Sequence, residues 1–444
     1  MVTPTVIPRA EHPISRAVID PDALKVLQRL RHAEHTAYLV GGSVRDLLLG
    51  RRPKDFDIGT SAQPNEVKKL FRNCWIIGRR FRLAHVKFGA KTIEVATFRR
   101  QLSEAEIAEQ SVVAEQAERE AELLEAQEPG RRDHSRPHLH FRDNTFGTPE
   151  EDAFRRDFTV NALFYDIATF SIIDYTGGLE DLKSRVIRCI GDPDVRFEED
   201  PVRMLRAIVL AARLDFIVDP PVVDAIRRHA SLIAKASPAR LLEEFYKILR
   251  SGASERAFHQ LAEVGLLEHL APELLRDRGQ ALWPYTAALD AYRHRFEGTP
   301  DSLTNAVLLG TLLVPQGFTA GRRPQRFEDG EGPPAKEPLI TLGRMQLPRR
   351  DVERLRGVLS LQRRLVDLEA SPRAKRALMH RGPFQEAMTW LEIHGQAPDV
   401  LEHWKGFYEG TFVPQEGLAD EAPERRKRRR RGRRRRGRRG PPLL

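Results

Sequence analysis

Cysteine is scarce in this sequence, and long apolar runs are absent. The two cysteines, Cys74 and Cys189, lie far apart, which argues against a disulfide framework and against a cysteine-based metal site. No apolar run approaches the ~20 residues that a membrane-spanning helix needs, and the N-terminus has no apolar secretory segment. These absences predict a cytoplasmic protein without a membrane partner.

The length and composition predict a globular chain of several domains. With 444 residues the chain is too long for one ordinary core, so we expect about two to four domains. A hydrophobic fraction of 41% and a charged fraction of 31% are typical of globular proteins.

Positive charge is concentrated near the C-terminus. The net charge is +10, yet thirteen Arg or Lys residues and no acid lie in the segment 425–439, so the rest of the chain has a net charge of −3. Such a run repels itself, stays disordered and typically binds a polyanion. We expect it to bind a nucleic acid through Arg425, Arg426, Lys427, Arg428, Arg429 and Arg430. The alternative is a tail that only keeps the protein soluble.

The stretch 37–60 has the pattern strand, glycine turn, helix, basic loop and second strand. Asp55 and Asp57 are two apart on that second strand, so both leave one face while Phe56 and Ile58 point into the core. Two carboxylates held this close need a cation between them. Beside a glycine turn they suit two magnesium ions that grip a nucleoside triphosphate. A bare Asp-x-Asp also fits an exposed strand end with two solvated aspartates.

The resemblance to a known family begins in this stretch. Its glycines, arginine and paired aspartates resemble the signature of the nucleotidyltransferase superfamily that includes DNA polymerase beta, in the branch shared by bacterial poly(A) polymerases and CCA-adding enzymes. The resemblance reappears in LFRNCWIIGRRFRLAHVKFG (70–89), IEVATFR (93–99), DNTFGTPEEDAFRRDFTVNALFYD (143–166) and GDPDVRFEEDPVRMLRAIVLAARL (191–214). It covers roughly the first 250 residues closely and the rest more loosely.

The resemblance implies an α+β fold with a polymerase-beta-like nucleotidyltransferase head built on a small mixed sheet. All-α neck and body domains and a disordered basic tail follow the head. The predicted boundaries are a flexible N-terminal arm at 1–20, the head at 21–191, the neck at 192–252, the body at 253–415 and the tail at 416–444.

An acidic helical insertion at 102–140 departs from the family pattern. Nine glutamates and one arginine lie between Leu102 and Glu128, among alanines and leucines, a composition that favours a solvated helix. It is either a surface segment without a role in catalysis or a negatively charged segment that shields the RNA-binding groove.

The glycine turn is the predicted phosphate site. Backbone N–H groups at such a turn attract phosphate oxygens, and glycine lets the backbone approach them. We expect Asp46 to pair with a neighbouring arginine and Gly50 to end the helix. The nucleotide-binding residues predicted at this turn are Gly41, Gly42, Ser43 and Arg45.

Further acids and arginines complete the predicted site. Glu94 lies between two apolar residues of a predicted strand and faces the opposite side, as either a third active-site carboxylate or a surface glutamate would. In the resemblance, the second arginine of an RRD element contacts the nucleotide and its aspartate is catalytic, which implies these roles for Arg156 and Asp157. The alternative is a structural pairing of Asp157 with Arg155 or Arg156. Asn161 is expected to hold the same loop.

Asp200, Arg203 and Arg206 lie at the start of a predicted helix. An aspartate and arginines fixed at hydrogen-bond distance are able to read the Watson–Crick edge of a base without a template. The alternative is a salt-bridged helix face. Beside the head, we predict that these residues select the nucleotide.

With these features, the resemblance implies a template-independent poly(A) polymerase that adds AMP residues from ATP to RNA 3′ ends and promotes RNA turnover. Two Mg²⁺ ions on Asp55 and Asp57 are the expected cofactors, with Asp157 as a further catalytic residue. The nearest alternative is a CCA-adding tRNA nucleotidyltransferase, and a more distant one is a non-catalytic RNA-binding protein. We also expect a monomer, with RNA-degradation proteins among its partners.

Removal of the basic tail, residues 416–444, tests its predicted RNA contact. Each phosphate neutralised on a single strand contributes about 0.7 to the slope of log affinity against log salt concentration. We therefore expect truncation to flatten this slope, measured by RNA binding over a series of salt concentrations. An unchanged slope would show that the tail does not contact RNA.

Overall fold

The computed structural model describes residues 3–78, 82–101, 145–321 and 340–412. The chain divides into two compact units, Met1–Gln396 and Ala397–Leu444. The predicted acidic insertion at 102–140 and the basic tail with Arg425–Arg430 lie outside the described residues, so both stay predictions.

Within the described residues, eight strands form one mixed sheet. In space they follow the order β1-β8-β7-β2-β3-β6-β5-β4, and every pair of neighbours is antiparallel except β3 and β6. The predicted α+β fold with a mixed sheet is confirmed. The strands are β1 (Thr5–Ile7), β2 (Ala37–Val40), β3 (Ile58–Thr60), β4 (Cys74–Ile77), β5 (Leu83–Phe88), β6 (Lys91–Thr97), β7 (Leu163–Asp166) and β8 (Ser171–Asp174).

Five helices of the described residues accompany this sheet. The apolar stripe of Ala23, Leu24, Val26, Leu27 and Leu30 predicts a helix over 21–32, and the first helix has these bounds. Asp20 caps it by accepting a hydrogen bond from the Asp22 backbone N–H at 2.8 Å. Gly50 follows the second helix with φ +67°, which confirms it as the terminating glycine. The five are α1 (Pro21–His32), α2 (Gly42–Leu48), α3 (Pro64–Leu70), α4 (Pro149–Phe154) and α5 (Gly178–Ser184).

The two faces of strands β3, β6, β5 and β4 differ in polarity. Helix α3 packs on β4, β5 and β6, and α1 contacts β2 and β3. The side chains on this helix-covered face are buried and apolar: Ile58, Ala84, Val86, Ile93 and Val95. Because side chains alternate along a strand, the polar residues between them are presented on the opposite face.

The predicted flexible arm at 1–20 is wrong for the residues from Thr5 onward. Strand β1 pairs antiparallel with β8 at the edge of the sheet, with Val6 opposite Ile173. Ile14 and Ile19 are buried, and the His12 imidazole Nε2 lies 2.8 Å from the Phe170 carbonyl oxygen. A three-residue strand without alternating polarity gives little periodic signal, which is why the sequence pattern misses it.

Among the described residues of the larger unit that lie outside this sheet, helices dominate and two short strand pairs are present. Strand β9 (Val186–Ile187) pairs in parallel with β10 (Ile217–Val218), and β11 (Thr341–Leu342) pairs with β12 (Met345–Gln346). The helices are α6 (Pro193–Glu199), α7 (Val202–Leu214), α8 (Pro220–His229), α9 (Pro238–Arg250), α10 (Ser254–Glu263), α11 (Leu266–Leu270), α12 (Trp283–Arg293), α13 (Asn305–Leu313), α14 (Arg349–Val366), α15 (Pro372–Met379) and α16 (Phe384–His394).

Two features of the helical part are not indicated by the sequence pattern. The first is a break between α10 and α11 at Gly265, whose φ of +78° is unfavourable for other residues. The smaller unit contains α17 (Pro398–Phe412), which the sequence pattern does not indicate. Among the residues that the structure describes, no helix has both the length and the apolar character that crossing a membrane requires.

Gly59, two residues after Asp57, tests how closely β3 is packed. A Cβ atom there would lie 2.6 Å from a ring carbon of Phe98 and 2.9 Å from a methyl carbon of Val40. We expect Gly59→Ala to reduce the free energy of unfolding by about 1–3 kcal/mol, measured by urea denaturation. The control is Gly298→Ala, where a Cβ meets open space and a change within about 0.5 kcal/mol is expected. Equal midpoints for the two variants would contradict this packing.

Candidate active site

The paired aspartates lie immediately before β3 rather than within it. Asp55 and Asp57 are exposed, Phe56 is half-buried and Ile58 is buried, so the predicted alternation of faces is confirmed. The Asp57 carbonyl accepts a hydrogen bond from the Val40 backbone N–H at 3.1 Å. This hydrogen bond to β2 therefore holds the backbone of Asp57 extended, although β3 itself begins one residue later.

Strand register places a third acid beside Asp57. Ile58 pairs with Val95 in the parallel ladder between β3 and β6, so the residues that precede them, Asp57 and Glu94, are also neighbours. Glu94 is exposed and faces away from the helix-covered side. Its carboxylate lies 3.6 Å from Nε2 of His85 on β5.

Although part of the Asp57 side chain is accessible to water, the surrounding protein raises the pKa of its carboxyl group. Loss of hydration among the surrounding side chains raises the pKa to about 6, with further upward contributions from the negative charges of Glu94 and Asp55. The positive charge of Arg156 acts in the opposite direction. Asp57 is thus surrounded by more negative charge than the neighbouring arginine neutralises, and a cation bound here would relieve that repulsion.

The protein side chains alone make a sparse metal site. Within the described ranges, no group of three or more His, Cys, Asp or Glu side chains is arranged to hold a metal ion. The Asp55 carboxylate lies 4.0 Å from the exposed Lys54 ammonium. Magnesium is commonly held by one or two carboxylates together with substrate phosphates and water, so the residues present fit an ion that binds with the nucleotide.

The glycine turn brings the backbone close to an arginine. Gly41 has φ +68° and donates its N–H to the Leu163 carbonyl at 3.1 Å. A Cβ atom on Gly41 would lie 3.0 Å from Nη1 of Arg156. Glycine is required here both for the left-handed backbone and for the approach of this side chain. Ser43 is buried and donates its hydroxyl to the Val40 carbonyl at 3.0 Å.

Arg45 is buried, with 3% of its surface exposed. Its Nε donates to the Asp46 carboxylate at 2.8 Å, which confirms the predicted pairing. Its Nη1 donates to the side-chain carbonyl of Asn161, which confirms that Asn161 helps to hold this region. The guanidinium therefore joins the glycine turn to the loop after α4. Its predicted contact with the triphosphate stays a prediction.

Within the RRD element, Arg156 and Asp157 have different neighbours. Arg156 donates to the Asp152 carboxylate at 2.9 and 3.1 Å and to the Asn161 carbonyl at 3.2 Å. Asp157 lies 2.7 Å from Nη2 of Arg206 on α7. Asp157 therefore forms an ion pair with an arginine of another helix, a partner that the sequence does not indicate.

The three residues predicted to select the nucleotide are brought to the same end of α7, but each has a separate partner. Asp200 accepts from the Val202 N–H at 3.2 Å. Arg203 donates to Glu199 at 2.6 Å. Arg206 has its pKa raised chiefly by the negative charge of Asp157. Nucleotide selection by these residues stays a prediction, and the alternative of a salt-bridged helix face is present at Arg203.

The partner of Asp200 is an arginine that sequence reasoning missed. Arg240, in the first turn of α9, donates from both terminal nitrogens to the two carboxylate oxygens at 2.7 and 3.1 Å. Burial acts to raise the pKa of Asp200, but the Arg240 hydrogen bonds and charge hold it below the ordinary value. The only sequence signal for Arg240 is its place in the helix start Ser-Pro-Ala-Arg.

The loop before the aspartate pair is also tied to α7. Arg51 donates to the backbone carbonyls of Arg213 and Leu214, both at 3.2 Å. These carbonyls end the helix, where a cation is favourable. Helix α7 thus contacts the loop before Asp55 through its C-terminal end. Through Arg206, near its N-terminal end, it contacts Asp157.

Comparison with known sequences decides the family. Residues 37–188 match the Poly A polymerase head domain, 215–277 match the Probable RNA and SrmB- binding site of polymerase A, and 340–439 match the Polymerase A arginine-rich C-terminus. Poly(A) polymerase I of Salmonella typhimurium is 38% identical over 95% of this chain and 91% of its own length. The chain belongs to the poly(A) polymerase family.

Other poly(A) polymerases and their structural relatives agree with this membership. Poly(A) polymerase I of Escherichia coli O6:H1 is 48% identical over 272 residues, which is 61% of this chain and 54% of the relative. The CCA-adding enzyme of Bacillus stearothermophilus in complex with CTP has a similar fold, with a TM-score of 0.56 and 26% identity over 88% of this chain and 83% of that one. The predicted membership of the nucleotidyltransferase family is confirmed.

The raised pKa of Asp57 predicts that its charge destabilises the fold. Between the ordinary pKa of 3.8 and about 6, the folded chain binds the extra proton, so stability falls as the pH rises through this window. Asp57→Asn should therefore raise the free energy of unfolding above pH 6, by about 1 kcal/mol after solvent screening. The gain should vanish below about pH 4, as measured by urea denaturation across pH.

Asp200→Asn is the control, and it should change the free energy of unfolding in the opposite direction because Arg240 lowers the pKa of Asp200. This variant should lose stability above the ordinary carboxyl pKa. If both variants shift stability in the same direction at pH 7.5, the negative crowding at Asp57 is refuted.

Proposed function

We propose that this chain is a template-independent poly(A) polymerase that transfers AMP from ATP to the 3′ end of RNA and releases pyrophosphate. The observation that carries the proposal is the acid cluster on the open side of the sheet. Asp57 lies beside Glu94 through strand register, with its pKa raised to about 6 by lost hydration and neighbouring negative charge. This site adjoins the Gly41 turn through the Arg156 side chain.

Asp55 and Asp57 are the residues that would hold two magnesium ions. The excess of negative charge at Asp57 and the exposure of Asp55 fit cations that arrive with the triphosphate. Bound magnesium at such sites lowers the pKa of an attacking hydroxyl and neutralises charge on the leaving group.

The other residues of the head orient the reactants. Arg156 and the backbone of the glycine turn, Gly41 to Ser43, would bind phosphate oxygens of ATP. Glu94 would either accept the proton of the RNA 3′-hydroxyl or help to bind metal. Arg45, held by Asp46 and Asn161, would keep the turn in place.

Nucleotide selection would lie at the N-terminal end of α7. Asp157 with Arg206 and Asp200 with Arg240 form two ion pairs at contact distances of 2.7 Å. An arginine fixed by a carboxylate presents a rigid set of donors to the acceptor edge of a base. Asp157 thus acts through Arg206 in this proposal, as a positioning residue rather than a metal ligand. Arg203, held by Glu199, would support the same surface.

The second candidate function is CCA addition to tRNA, which the similar fold of the CCA-adding enzyme favours. The stronger sequence match to poly(A) polymerases over nearly the whole chain favours AMP transfer. Cytoplasmic location, a monomeric state, RNA-degradation partners and RNA binding by the basic tail stay predictions of the proposal.

Incubation with each single nucleotide tests the activity. We expect long ATP-only tails on an oligoadenylate primer, and no ordered addition of two CTP and one ATP to a tRNA that lacks its end. Asp55→Asn and Asp57→Asn should each reduce AMP transfer by at least about a thousandfold. As a matched control, Asp224→Asn on the exposed side of α8 should retain the wild-type rate.

Ordered CTP and ATP addition to tRNA would replace the proposal with CCA addition. Wild-type rates in either aspartate variant would refute the assignment of the site.

A further inference from the structure

The open face of β4, β5 and β6 has an apolar end that the proposed chemistry does not use. Trp75 and Ile77 lie two apart on β4 and are 52% and 50% exposed. They alternate with the buried Cys74, so both leave the face opposite to helix α3. Large half-exposed apolar side chains on one face mark a contact surface more often than isolated ones do.

Strand register connects this apolar end to the acid cluster. Trp75 pairs with His85, and His85 pairs with Glu94. Glu94 in turn lies beside Asp57. The four side chains therefore form one row across the same face of the sheet. With strands about 4.8 Å apart, Trp75 lies roughly 14 Å from Asp57 along this row.

The proposed ATP contacts lie on the other side of Asp57. Strand β2, which ends at the Gly41 turn, and β7 follow β3 in one direction across the sheet, whereas β6, β5 and β4 follow in the other. Arg156 lies against the Gly41 side. In phosphoryl transfer the attacking and leaving oxygens are roughly in line on opposite sides of the phosphorus. RNA that brings the attacking hydroxyl would therefore reach the acids from the β6 side.

The side chains at the far end of the row suit a single-stranded nucleic acid. The Lys87 ammonium lies 5.4 Å from the centre of the Trp75 ring and on the same face of β5 as His85. Lys87 and Trp75 are both exposed. An aromatic ring on which a base stacks, next to a cation for the backbone phosphate, is the usual arrangement for binding single strands without regard to sequence.

We propose that Trp75 stacks on a base of the RNA substrate upstream of its 3′ end, with Lys87 contacting the adjoining phosphate. This inference rests on the proposed function, because it takes Asp57 as the place where the 3′-hydroxyl reacts. At roughly 3.4 Å per stacked nucleotide, the distance of about 14 Å corresponds to about the fourth nucleotide from the end. Trp75 therefore contributes nothing to the binding of primers shorter than about four nucleotides.

The test uses the full-length chain and two oligoadenylate primers, of about three and about twelve nucleotides. Trp75→Ala should raise KM for the longer primer about tenfold, since stacking on one ring commonly contributes that much. The kcat for the longer primer and both constants for the shorter one should be unchanged. Trp75→Phe should restore most of the affinity. Lys87→Gln should lower the slope of log affinity against log salt by about 0.7.

A direct readout places 2-aminopurine at the fourth nucleotide from the 3′ end of the longer primer. Wild-type protein should quench its fluorescence on binding, and Trp75→Ala should not. The matched control is Phe88→Leu, which removes a ring near Lys25 on the helix-covered side of the same strand. It should keep both the quenching and the KM of the wild type.

Two results would overturn the inference. The first is a Trp75→Ala variant equal to wild type on both primers, with quenching intact. The second is a Trp75→Ala variant with a changed oligomeric state in sedimentation and unchanged RNA affinity, which would show that the face binds a second copy of the chain. Failure of the proposed function is distinguishable, because wild-type protein would then transfer no AMP to either primer.

Discussion

The parallel pairing of β3 with β6 is the constraint on which the site depends. It is the parallel exception in an otherwise antiparallel sheet of eight strands, and its register puts Ile58 opposite Val95. That register buries the two aliphatic side chains on the helix-covered face. The acids that precede them are then neighbours on the other face. A slip of β3 by one residue would turn Asp57 toward the helix-covered face and away from Glu94, so the packing that stabilises the sheet also fixes the acid cluster.

Helix α7 links the parts that would bind metal and nucleotide. Its C-terminal carbonyls accept hydrogen bonds from Arg51 in the acid-bearing loop. Near its N-terminus, Arg206 contacts Asp157 of the head. The helix itself is held by burial of its apolar side chains, among them Met204, Leu205 and Ile208. A rigid helix that contacts both regions keeps their spacing constant, which transfer between two bound substrates requires.

Much of the fold follows from local patterns in the sequence. The bounds of α1, the terminating Gly50 and the outward direction of Glu94 each depend on residues within one or two turns or on strand alternation. The arm at 1–20 fails for the opposite reason, because β1 exists only through its pairing with β8. Three residues of edge strand have no periodicity of their own to detect.

The site likewise has features that local sequence predicts and contacts that it does not. The spacing of Asp55 and Asp57 predicts that they share a face, and the structure agrees. Which side chain contacts Asp200 is not predictable locally, since Arg240 lies 40 residues away on another helix. Arg203 donates to Glu199, four residues before it, so the alternative of a salt-bridged helix face is present at this arginine. Long-range pairing depends on how helices pack, which no short window of sequence contains.

The central claim is that the acids beside β3 gather the triphosphate of ATP with divalent ions. A crystal structure with a non-hydrolysable ATP analogue and manganese tests it most directly, because anomalous scattering locates each ion. The account predicts manganese peaks within bonding distance of the Asp55 and Asp57 carboxylates, with the phosphates between them and the Gly41 turn. Phosphates bound elsewhere, with no ion at either aspartate, would contradict it.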